Sequence, residues 1–463
     1  MKKQLNKSEY AKGSILLVAV ISAFLTPFMG SSINLALPAI GDEYGADTIL
    51  LSWIATAYLL SSAVFLVPFG RLADIYGRKK VFLSGMIIFT VSSLIAPFAP
   101  GIYSLLVFRV FQGMGSSMIF ATGLAIVTSV FPLEERGKAI GFTIASVYAG
   151  LSFGPFAGGL LTEYMGWRSI FIFTAILGSV GIYFIISRIK GEWAESSGEP
   201  FDLGGSLIYG LSLFFLVFGF SSLPVVSGFV FLVAGAAGLV IFIFFEMRNP
   251  FPVMQLGLFR NNTVFAWSNM AAFINYSATF AVAFIMSLYL QYVKDYSARD
   301  AGIVLVSQPI IMAVVSPLAG RLSDRIEPRL LATTGMAITT LGLFFLIYVD
   351  SMNMPGIILT LIILGIGFGF FSSPNSNAIM SSVNKKYYGI ASGTMGTMRL
   401  LGQMFSMGLV MFILSVFIGR EAIDEGNIPY FLQGIQFAFI LFSSFCFIGI
   451  FASYARGKIH KDK

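Results

Sequence analysis

The stretch GRLADIYGRKK, residues 70–80, is a short charged segment between two long apolar runs, residues 49–69 and 81–98. Each run is about as long as a helix must be to cross a hydrocarbon core about 30 Å thick. The segment holds four cations and one carboxylate, and its glycines, Gly70 and Gly77, allow close approach of the backbone. We therefore expect a loop at the cytoplasmic surface of a membrane, because positive charge collects on that side.

A shorter version of this segment, GRLSDR at residues 320–325, lies between two apolar runs 250 residues later. One loop motif used twice indicates a duplicated architecture. The composition agrees with a membrane protein, since 57% of the residues are hydrophobic and only 11% are charged. The net charge of +7 is concentrated in short loops between apolar runs, so it reports topology and not a nucleic-acid partner.

Fourteen apolar segments follow one another along the chain, at residues 14–35, 49–69, 81–98, 102–130, 139–162, 168–187, 203–222, 226–245, 263–292, 301–319, 329–349, 355–376, 388–418 and 431–455. An even number of spans places both termini on one side. The loops on that side hold 23 of the 29 Lys and Arg residues and the other side holds four, while Arg109 and Arg399 lie inside apolar runs. We therefore predict an all-α integral protein of the cell membrane, with 14 transmembrane helices and cytoplasmic termini.

Several motifs, in chain order, resemble those of the major facilitator superfamily and its fourteen-helix drug:proton antiporter branch. They are the segment at residues 70–80, WIATAYLL at 53–60, RVFQGMG at 109–115, GLSFGPFAGG at 150–159, FDLGG at 201–205 and LFRN at 258–261. The resemblance implies the major facilitator fold in a monomer: a six-helix bundle over residues 1–190, a linker and extra helix pair over 191–262, and a second six-helix bundle over 263–463.

Four residues of the opening segment are candidates for a cytoplasmic latch: Gly70, Asp74, Gly77 and Arg78. Asp74 can accept hydrogen bonds from a helix N-terminus or pair with Arg78. Positive-inside topology alone explains the cations, but it does not explain the carboxylate or the glycines. The cations would also meet anionic lipid headgroups.

The fifth apolar run carries a candidate gate. Gly150, Gly154 and Gly158 recur at every fourth residue, so they clear one stripe of a helix for close packing, and Pro155 frees a carbonyl and bends the helix. The resemblance implies that this stripe closes one side of an antiporter. A stripe used only for packing has the same pattern, so both interpretations stay open.

Two arginines inside apolar runs are candidate coupling residues. Arg109 has Gln112 three residues later, and Arg399 has Gln403 four residues later, so each pair shares a helix face. An arginine in hydrocarbon is costly and is expected to face a cavity or a partner. The resemblance implies a role for Arg109 in proton transfer or substrate coupling, with a purely structural role as the alternative, and the same two interpretations apply to Arg399.

The first helix departs from the antiporter pattern. That branch has an aspartate five residues before the asparagine of its N-x-A-L-P element, which here is NLALP at residues 34–38, and the corresponding position holds Met29. No predicted helix centre carries a carboxylate, which leaves only Asp42, Glu43 and Asp74 near the membrane surfaces as weak proton carriers. Proton coupling is therefore implied by the resemblance and is only partly supported by the sequence.

Aromatic and amide side chains of the predicted helices, with one methionine, are candidates for the lining of a binding cavity: Met29, Asn34, Trp53, Tyr58, Tyr148, Asn275, Tyr276, Gln308, Asn375 and Gln403. Such a lining suits neutral or amphipathic organic molecules. Packing against lipid or other helices is the alternative for each aromatic residue, whereas an unsatisfied amide in hydrocarbon is costly.

These observations predict a secondary transporter that exports small organic or drug-like compounds, by alternating access and with protons as the coupling partner. The alternatives are an exporter or facilitator of an endogenous metabolite without proton coupling, and a transporter-like sensor. The chain has none of the nucleophile, nucleotide or CxxC motifs, and its one histidine, His460, lies in the basic tail. We therefore expect no enzyme activity, cofactor or metal, while substrate, coupling ion and direction are not determined by the sequence.

Overall fold

The computed structural model describes residues 2–131, 133–189, 191–194, 196–254, 257–323, 325–383, 388–419, 423–424 and 426–457. Within these ranges the chain is helical and contains no β-strand, which confirms the predicted all-α class. Asp324 of the second charged motif and His460 lie outside the described residues. We call the end of the helices that holds residues 70–80 the loop end, and the opposite end the far end.

Six long helices form the first half: α1 (Lys2–Tyr44), α2 (Thr48–Tyr76), α3 (Arg78–Ile95), α4 (Ile102–Val130), α5 (Leu133–Met165) and α6 (Arg168–Arg188). α1 runs nine residues beyond its predicted end at residue 35, and Pro38 lies inside it. α2 begins directly after Asp47, whose carboxylate accepts the Leu50 N–H at 2.7 Å and so satisfies a free donor of the first turn.

The remaining helices are α7 (Leu203–Ser222), α8 (Val226–Arg248), α9 (Gly257–Asn261), α10 (Thr263–Thr279), α11 (Ala281–Leu288), α12 (Ala298–Leu305), α13 (Ser307–Ser323), α14 (Pro328–Leu346), α15 (Met354–Ser381), α16 (Tyr388–Phe417) and α17 (Ile428–Ala455). Side-chain caps start four of them, at Asp202 for α7, Asn262 for α10, Ser297 for α12 and Asn353 for α15. We call α10–α17 the second half.

Two predicted single spans are interrupted in the second half. α10 and α11 are separate helices joined at Phe280, and the Ala281 N–H is accepted by the Ser406 hydroxyl of α16 at 3.1 Å. α12 and α13 are separated at Val306, three residues before Pro309, which has no N–H to continue a regular ladder. Apolar periodicity does not indicate these breaks, which lie next to a hydrogen bond to α16 in one case and next to a proline in the other.

Helices pack mainly within each half. α1 packs along α5, and α2 and α3 pack along α4, while α13 and α14 pack on α15, and α10 and α14 pack on α17. α7 and α8 pack on each other, and α7 also contacts α2 and α16. Tyr209 of α7 donates to the Ala63 carbonyl of α2 at 3.2 Å, and Ser415 of α16 donates to the Leu223 carbonyl at 2.9 Å. The central pair is therefore attached to both halves.

Thirteen helical stretches in the described part of the chain are long and apolar enough to cross a membrane. Two of these stretches each join consecutive segments, over Thr263–Val293 and Ala298–Ser323. The 33-residue α5, which packs along α1, is not among the thirteen. The protein is therefore a multi-pass membrane protein built from apolar helices.

Candidate functional site

The charged segment at residues 70–80 is mostly helix. α2 continues through Tyr76 and α3 begins at Arg78, so Gly77 alone separates them. Gly77 has a φ of 117°, which L side chains rarely adopt, and a Cβ there would overlap the Glu192 carboxyl group. The expectation of a loop over the whole stretch is therefore wrong, because one glycine turns the chain. Gly70 lies within α2, where a Cβ would make an ordinary 3.7 Å contact with Ala121.

Asp74 pairs with Arg78, one of the two arrangements expected from the sequence. The Arg78 Nε and Nη2 atoms both donate to Asp74 Oδ1, at 3.0 and 2.9 Å. Arg78 Nη1 donates to the Ser129 hydroxyl at 2.9 Å. This arrangement links the end of α2, the start of α3 and the end of α4.

The linker that follows α6 lies against the same segment. Glu199 forms an ion pair with Arg71, and the Ser196 hydroxyl accepts from Arg71 at 3.3 Å. The Trp193 carbonyl accepts the Arg78 N–H at 2.8 Å. Both ends of residues 70–80 are thus held by the chain that leads into the central pair.

Arg109 is fully buried within the first half. Its Nε donates to the Ile54 carbonyl at 2.9 Å, its Nη1 donates to Gln112 Oε1, and its guanidinium carbon lies 4.5 Å from the centroid of the Tyr58 ring. Gln112 in turn donates to the Ser93 hydroxyl at 2.7 Å. Arg109 therefore connects α2, α3 and α4, and the expected Arg109–Gln112 contact is present.

Tyr58, a predicted cavity residue, belongs to this buried network. Its hydroxyl lies 2.8 Å from the Ser116 hydroxyl and 3.1 Å from the Thr26 carbonyl oxygen. The ring is 4% exposed and stacks on the Arg109 guanidinium. The contacts of Tyr58 extend the Arg109 network to α1.

Arg399 has a different setting, between the two halves. Its half-buried guanidinium lies 5.2 Å from the centroid of the Phe120 ring of α4. The Tyr276 hydroxyl of α10 interacts with Arg399 and with Ser372 of α15, and the Ser372 hydroxyl lies 3.1 Å from the Tyr148 hydroxyl of α5. We call these five residues the central cluster. Their side chains come from both halves.

Two features of Arg399 distinguish it from the expected arrangement. Within the described part of the chain it makes no hydrogen bond to Gln403, although both lie on α16. No carboxylate of the described residues forms an ion pair with it either. Among the described residues, the Arg399 guanidinium is therefore contacted by hydroxyl and aromatic groups and by no carboxylate.

Two other predicted cavity residues pack against neighbouring helices. Met29 is fully buried, and its sulfur accepts from the Thr174 hydroxyl of α6 at 3.6 Å. The Trp53 ring lies 6.4 Å, between centroids, from the Phe218 ring of α7. These contacts join α1 to α6 and α2 to the central pair.

The predicted amides are mostly buried. Asn275, next to Tyr276, is fully buried, and neither of its amide atoms has a partner among the described residues. Asn375 donates to the Ser268 carbonyl at 3.1 Å, while its Oδ1 lacks a partner there. Gln308 is half-buried at the start of α13. Buried amide atoms without partners retain hydrogen-bonding capacity inside the second half.

The glycine stripe of α5 faces α1, within the first half. A Cβ at Gly150 would overlap the Phe24 carbonyl oxygen, and one at Gly158 would meet Ser32. A Cβ at Gly154 would also overlap an α1 side chain. Close packing of α5 on α1 therefore requires these glycines.

Other residues of α5 contact the second half. A Cβ at Gly159 would overlap the Ala298 carbonyl oxygen of α12, and one at Gly302 of α12 would lie 2.5 Å from the Pro155 carbonyl oxygen. The backbones of the two halves are thus in direct contact here. We call the packing of α5 on α12 the far-end contact.

Polar contacts accompany the far-end contact. The Ser287 hydroxyl of α11 donates to the Asn34 carbonyl of α1 at 2.8 Å. Arg299 of α12 donates to the Tyr164 hydroxyl of α5 at 3.1 Å. Asn34, a predicted cavity residue, therefore contacts the second half through its backbone.

Sequence reasoning did not select two members of the central cluster, Phe120 and Ser372. Ser372 precedes the selected Asn375 by three residues, a spacing that places both on one helix face and could have identified it. Phe120 gives no such indication, because the chain contains 48 phenylalanines and most apolar helices carry several.

The sequence pattern of the Major Facilitator Superfamily matches residues 19–407. The riboflavin transporter RibZ of Clostridioides difficile (strain 630) is 30% identical over 449 residues, which is 95% of this chain and 96% of that protein. The multidrug resistance protein Stp of Mycobacterium tuberculosis (strain CDC 1551 / Oshkosh) is 30% identical over 83% of this chain and 73% of its own length.

Among solved structures, a bacterial homolog of the human lysosomal transporter Spinster, in an inward-facing and unoccupied conformation, has a similar fold. The TM-score is 0.66 with 17% sequence identity, over 97% of both chains. The family match and the bacterial relatives also confirm the predicted location, the cell membrane. The chain therefore belongs to the Major Facilitator Superfamily and is a membrane transporter, not an enzyme.

Proposed function

We propose that this transporter exports small organic compounds from the cytoplasm by alternating access. The central cluster carries the proposal, because Phe120 and Tyr148 of the first half meet Arg399, Tyr276 and Ser372 of the second. A site shared between two halves is remade whenever the halves move against each other. The far-end contact between Gly159 and Ala298 supports a state that is closed on the far side.

The proposed topology has fourteen spans, with α5 counted among them. Six spans belong to residues 1–190, two to residues 191–262 and six to residues 263–463, in a monomer with cytoplasmic termini. The excess of Lys and Arg on the loop end supports this orientation, and those cations would meet anionic lipid headgroups. The loop-end contacts of Asp74 and Arg78 are proposed to hold one of the two states.

Proton antiport is the proposed driving mechanism. It is supported by the motifs of residues 109–115 and 150–159, and by a relative named as a multidrug resistance protein. The carboxylates of the described residues lie at helix ends or in connections. None of these acids therefore lies in the interior of a span, where it could carry a proton.

Export of an endogenous metabolite without proton coupling is the second candidate. Met29 stands where the antiporter branch has an aspartate, and it packs on Thr174. A 30% identical relative is named as a riboflavin transporter. Both observations support this second candidate.

Transport in sealed proteoliposomes that contain a pH-sensitive dye tests the function. Riboflavin, the cation rhodamine 123 and the anion fluorescein are supplied as probes, with and without an imposed pH gradient. We expect protein-dependent movement of at least one probe, accompanied by proton movement. Movement without a change of lumen pH favours the uncoupled candidate, and rates equal to those of protein-free liposomes for all three probes contradict the function.

A matched pair of variants controls this experiment. Gly159→Ala places a Cβ against the Ala298 carbonyl across the halves, whereas a Cβ at Gly101 meets nothing within 4 Å. We expect Gly159→Ala to slow transport and Gly101→Ala to leave it unchanged. Equal rates for the two variants would argue against a role of the far-end contact in the transport cycle.

A further inference from the structure

We propose that the transported compound carries an anionic group, such as a carboxylate, phosphate or phenolate, and that Arg399 binds this group at the central cluster. The proposal rests on the proposed function, because it assigns a substrate class to the same site. It excludes compounds whose only charge is positive.

The charges near the site are positive. Arg399 lies well inside α16 and forms no ion pair with a carboxylate of the described residues. The acids of that part of the chain lie at helix ends or in connections, as Asp42, Asp74 and Glu246 do. A half-buried guanidinium without a counter-charge favours the binding of an anion, whereas a cation would meet repulsion and no carboxylate.

Arg109, the other arginine inside a predicted apolar run, is not available for this role. It is fully buried inside the first half, where its Nε donates to the Ile54 carbonyl and its Nη1 donates to Gln112. Its Nη2 has no partner among the described residues, but this atom is buried as well. Arg399 is half-buried and lies between the halves. Of these two guanidinium groups, only that of Arg399 can reach a compound bound between the halves.

The groups around Arg399 fit an aromatic or otherwise planar anion. The Phe120 ring lies under the guanidinium, and the Tyr276 ring packs edge to face on Phe368 with centroids 5.4 Å apart. The hydroxyls of Tyr148 and Ser372, 3.1 Å apart, can donate to anionic oxygens. A guanidinium with adjacent hydroxyl donors forms the strong, charge-assisted hydrogen bonds that carboxylates and phosphates accept.

Two xanthene dyes of opposite charge, fluorescein and rhodamine 123, test the proposal. Their binding to the purified full-length protein in nanodiscs of phosphatidylcholine is measured by fluorescence anisotropy. We expect the wild-type protein to bind fluorescein at least about tenfold more tightly than rhodamine 123. Arg399→Gln removes this preference and Arg399→Lys retains part of it, since the charge remains while the planar fork is lost.

Arg329→Gln is the matched control. Arg329 also places its guanidinium over an aromatic ring, 4.4 Å from the Tyr454 centroid, but at the start of α14, away from the central cluster. This variant is expected to keep the wild-type preference. Size-exclusion profiles of all variants report whether they remain folded.

Three outcomes overturn the proposal. These are a wild-type protein without a preference for fluorescein, tighter binding of rhodamine 123, and an anion preference that survives Arg399→Gln. The proposed function is judged separately, by transport of any probe into or out of liposomes. A protein that transports rhodamine 123 but not fluorescein therefore refutes the anion proposal and leaves the transporter function intact.

Discussion

Arg109 and Arg399 are both arginines inside apolar helices, yet their surroundings differ. Arg109 is fully buried in one half, with hydrogen bonds to Ile54 and Gln112 and a Tyr58 ring beside it. Arg399 is half-buried between the halves and contacts Phe120 of the opposite half. From the sequence alone, both are candidate coupling residues and cannot be distinguished.

The difference separates fold from function. A buried guanidinium with several protein partners contributes to the folded structure, because its removal leaves those partners unpaired. A half-buried guanidinium between two halves that move against each other contributes little to the stability of either half. We therefore expect substitutions of Arg109 mainly to lower the stability of the fold, and substitutions of Arg399 mainly to weaken substrate binding.

The largest expected effect is on the stability of Arg109→Ala. Loss of the side chain leaves Gln112 without one partner and a cavity among α2, α3 and α4, at a cost of about 3 kcal/mol or more in unfolding free energy. Denaturant unfolding in detergent measures the change, with Arg399→Ala as the matched variant. Similar losses for the two variants would remove the distinction between the sites.

Two glycines extend the same comparison to the backbone. A Cβ at Gly113 would overlap the Tyr58 carbonyl oxygen inside the first half, while one at Gly159 would overlap Ala298 across the halves. Gly113→Ala is expected to lower the unfolding free energy by about 1–3 kcal/mol through overpacking. Gly159→Ala instead shifts the protein away from the state with the far-end contact.

Single-cysteine labelling reports this shift. Cys446, the only cysteine, is buried, so Ser287→Cys adds one reporter at the contact with Asn34. We expect Gly159→Ala to speed labelling by an impermeant maleimide about tenfold, because a change of about 1.4 kcal/mol in the closure equilibrium gives that factor. Unchanged labelling together with lower stability would show that Gly159, like Gly113, is needed for packing and does not affect closure of the far end.

Phe120→Leu has a smaller expected effect. It removes the ring beneath Arg399 but keeps an apolar side chain, and the lost cation–π contact is worth about 0.5–1 kcal/mol. Fluorescein affinity is expected to fall about two- to fivefold, with little change in unfolding. A loss of stability without a loss of affinity would show that Phe120 only packs.

Asp74→Asn is expected to lower the unfolding free energy only slightly. The Asp74 and Arg78 side chains are 39% and 12% exposed, and such partly exposed pairs contribute about 0.2–1 kcal/mol. The change is expected to shrink further as salt is added. A salt-independent loss of more than about 2 kcal/mol would mean that Asp74 also holds the linker.

Much of the fold follows from the sequence. Apolar runs of membrane length, the two charged motifs and the glycine stripe locate most helices and the repeated halves. The sequence does not reveal that Gly77 alone separates α2 from α3, since a charged stretch at a membrane surface can be helix or loop. It also does not reveal the break at Phe280, where Ser406 of a distant helix accepts the Ala281 N–H.

The candidate site is less predictable. Arg109, Gln112, Arg399 and Tyr148 follow from residue type, because polar groups in apolar helices need partners. Which of them meet depends on packing between helices far apart in sequence, as with Tyr148 and Ser372, 224 positions apart. Met29 and Trp53, which the sequence predicts to line a cavity, contact Thr174 and Phe218 of neighbouring helices, and nothing in their sequence context indicates these partners.

Transport by Arg399→Gln, normalised to folded protein, tests the central claim most directly. We predict that export of an anionic probe by proteoliposomes falls at least about tenfold, while the unfolding temperature stays within about 3 °C of the wild-type value. Two results would contradict a role of Arg399 in substrate binding. One is a wild-type transport rate in this variant, and the other is a loss of transport that is fully explained by a loss of folded protein.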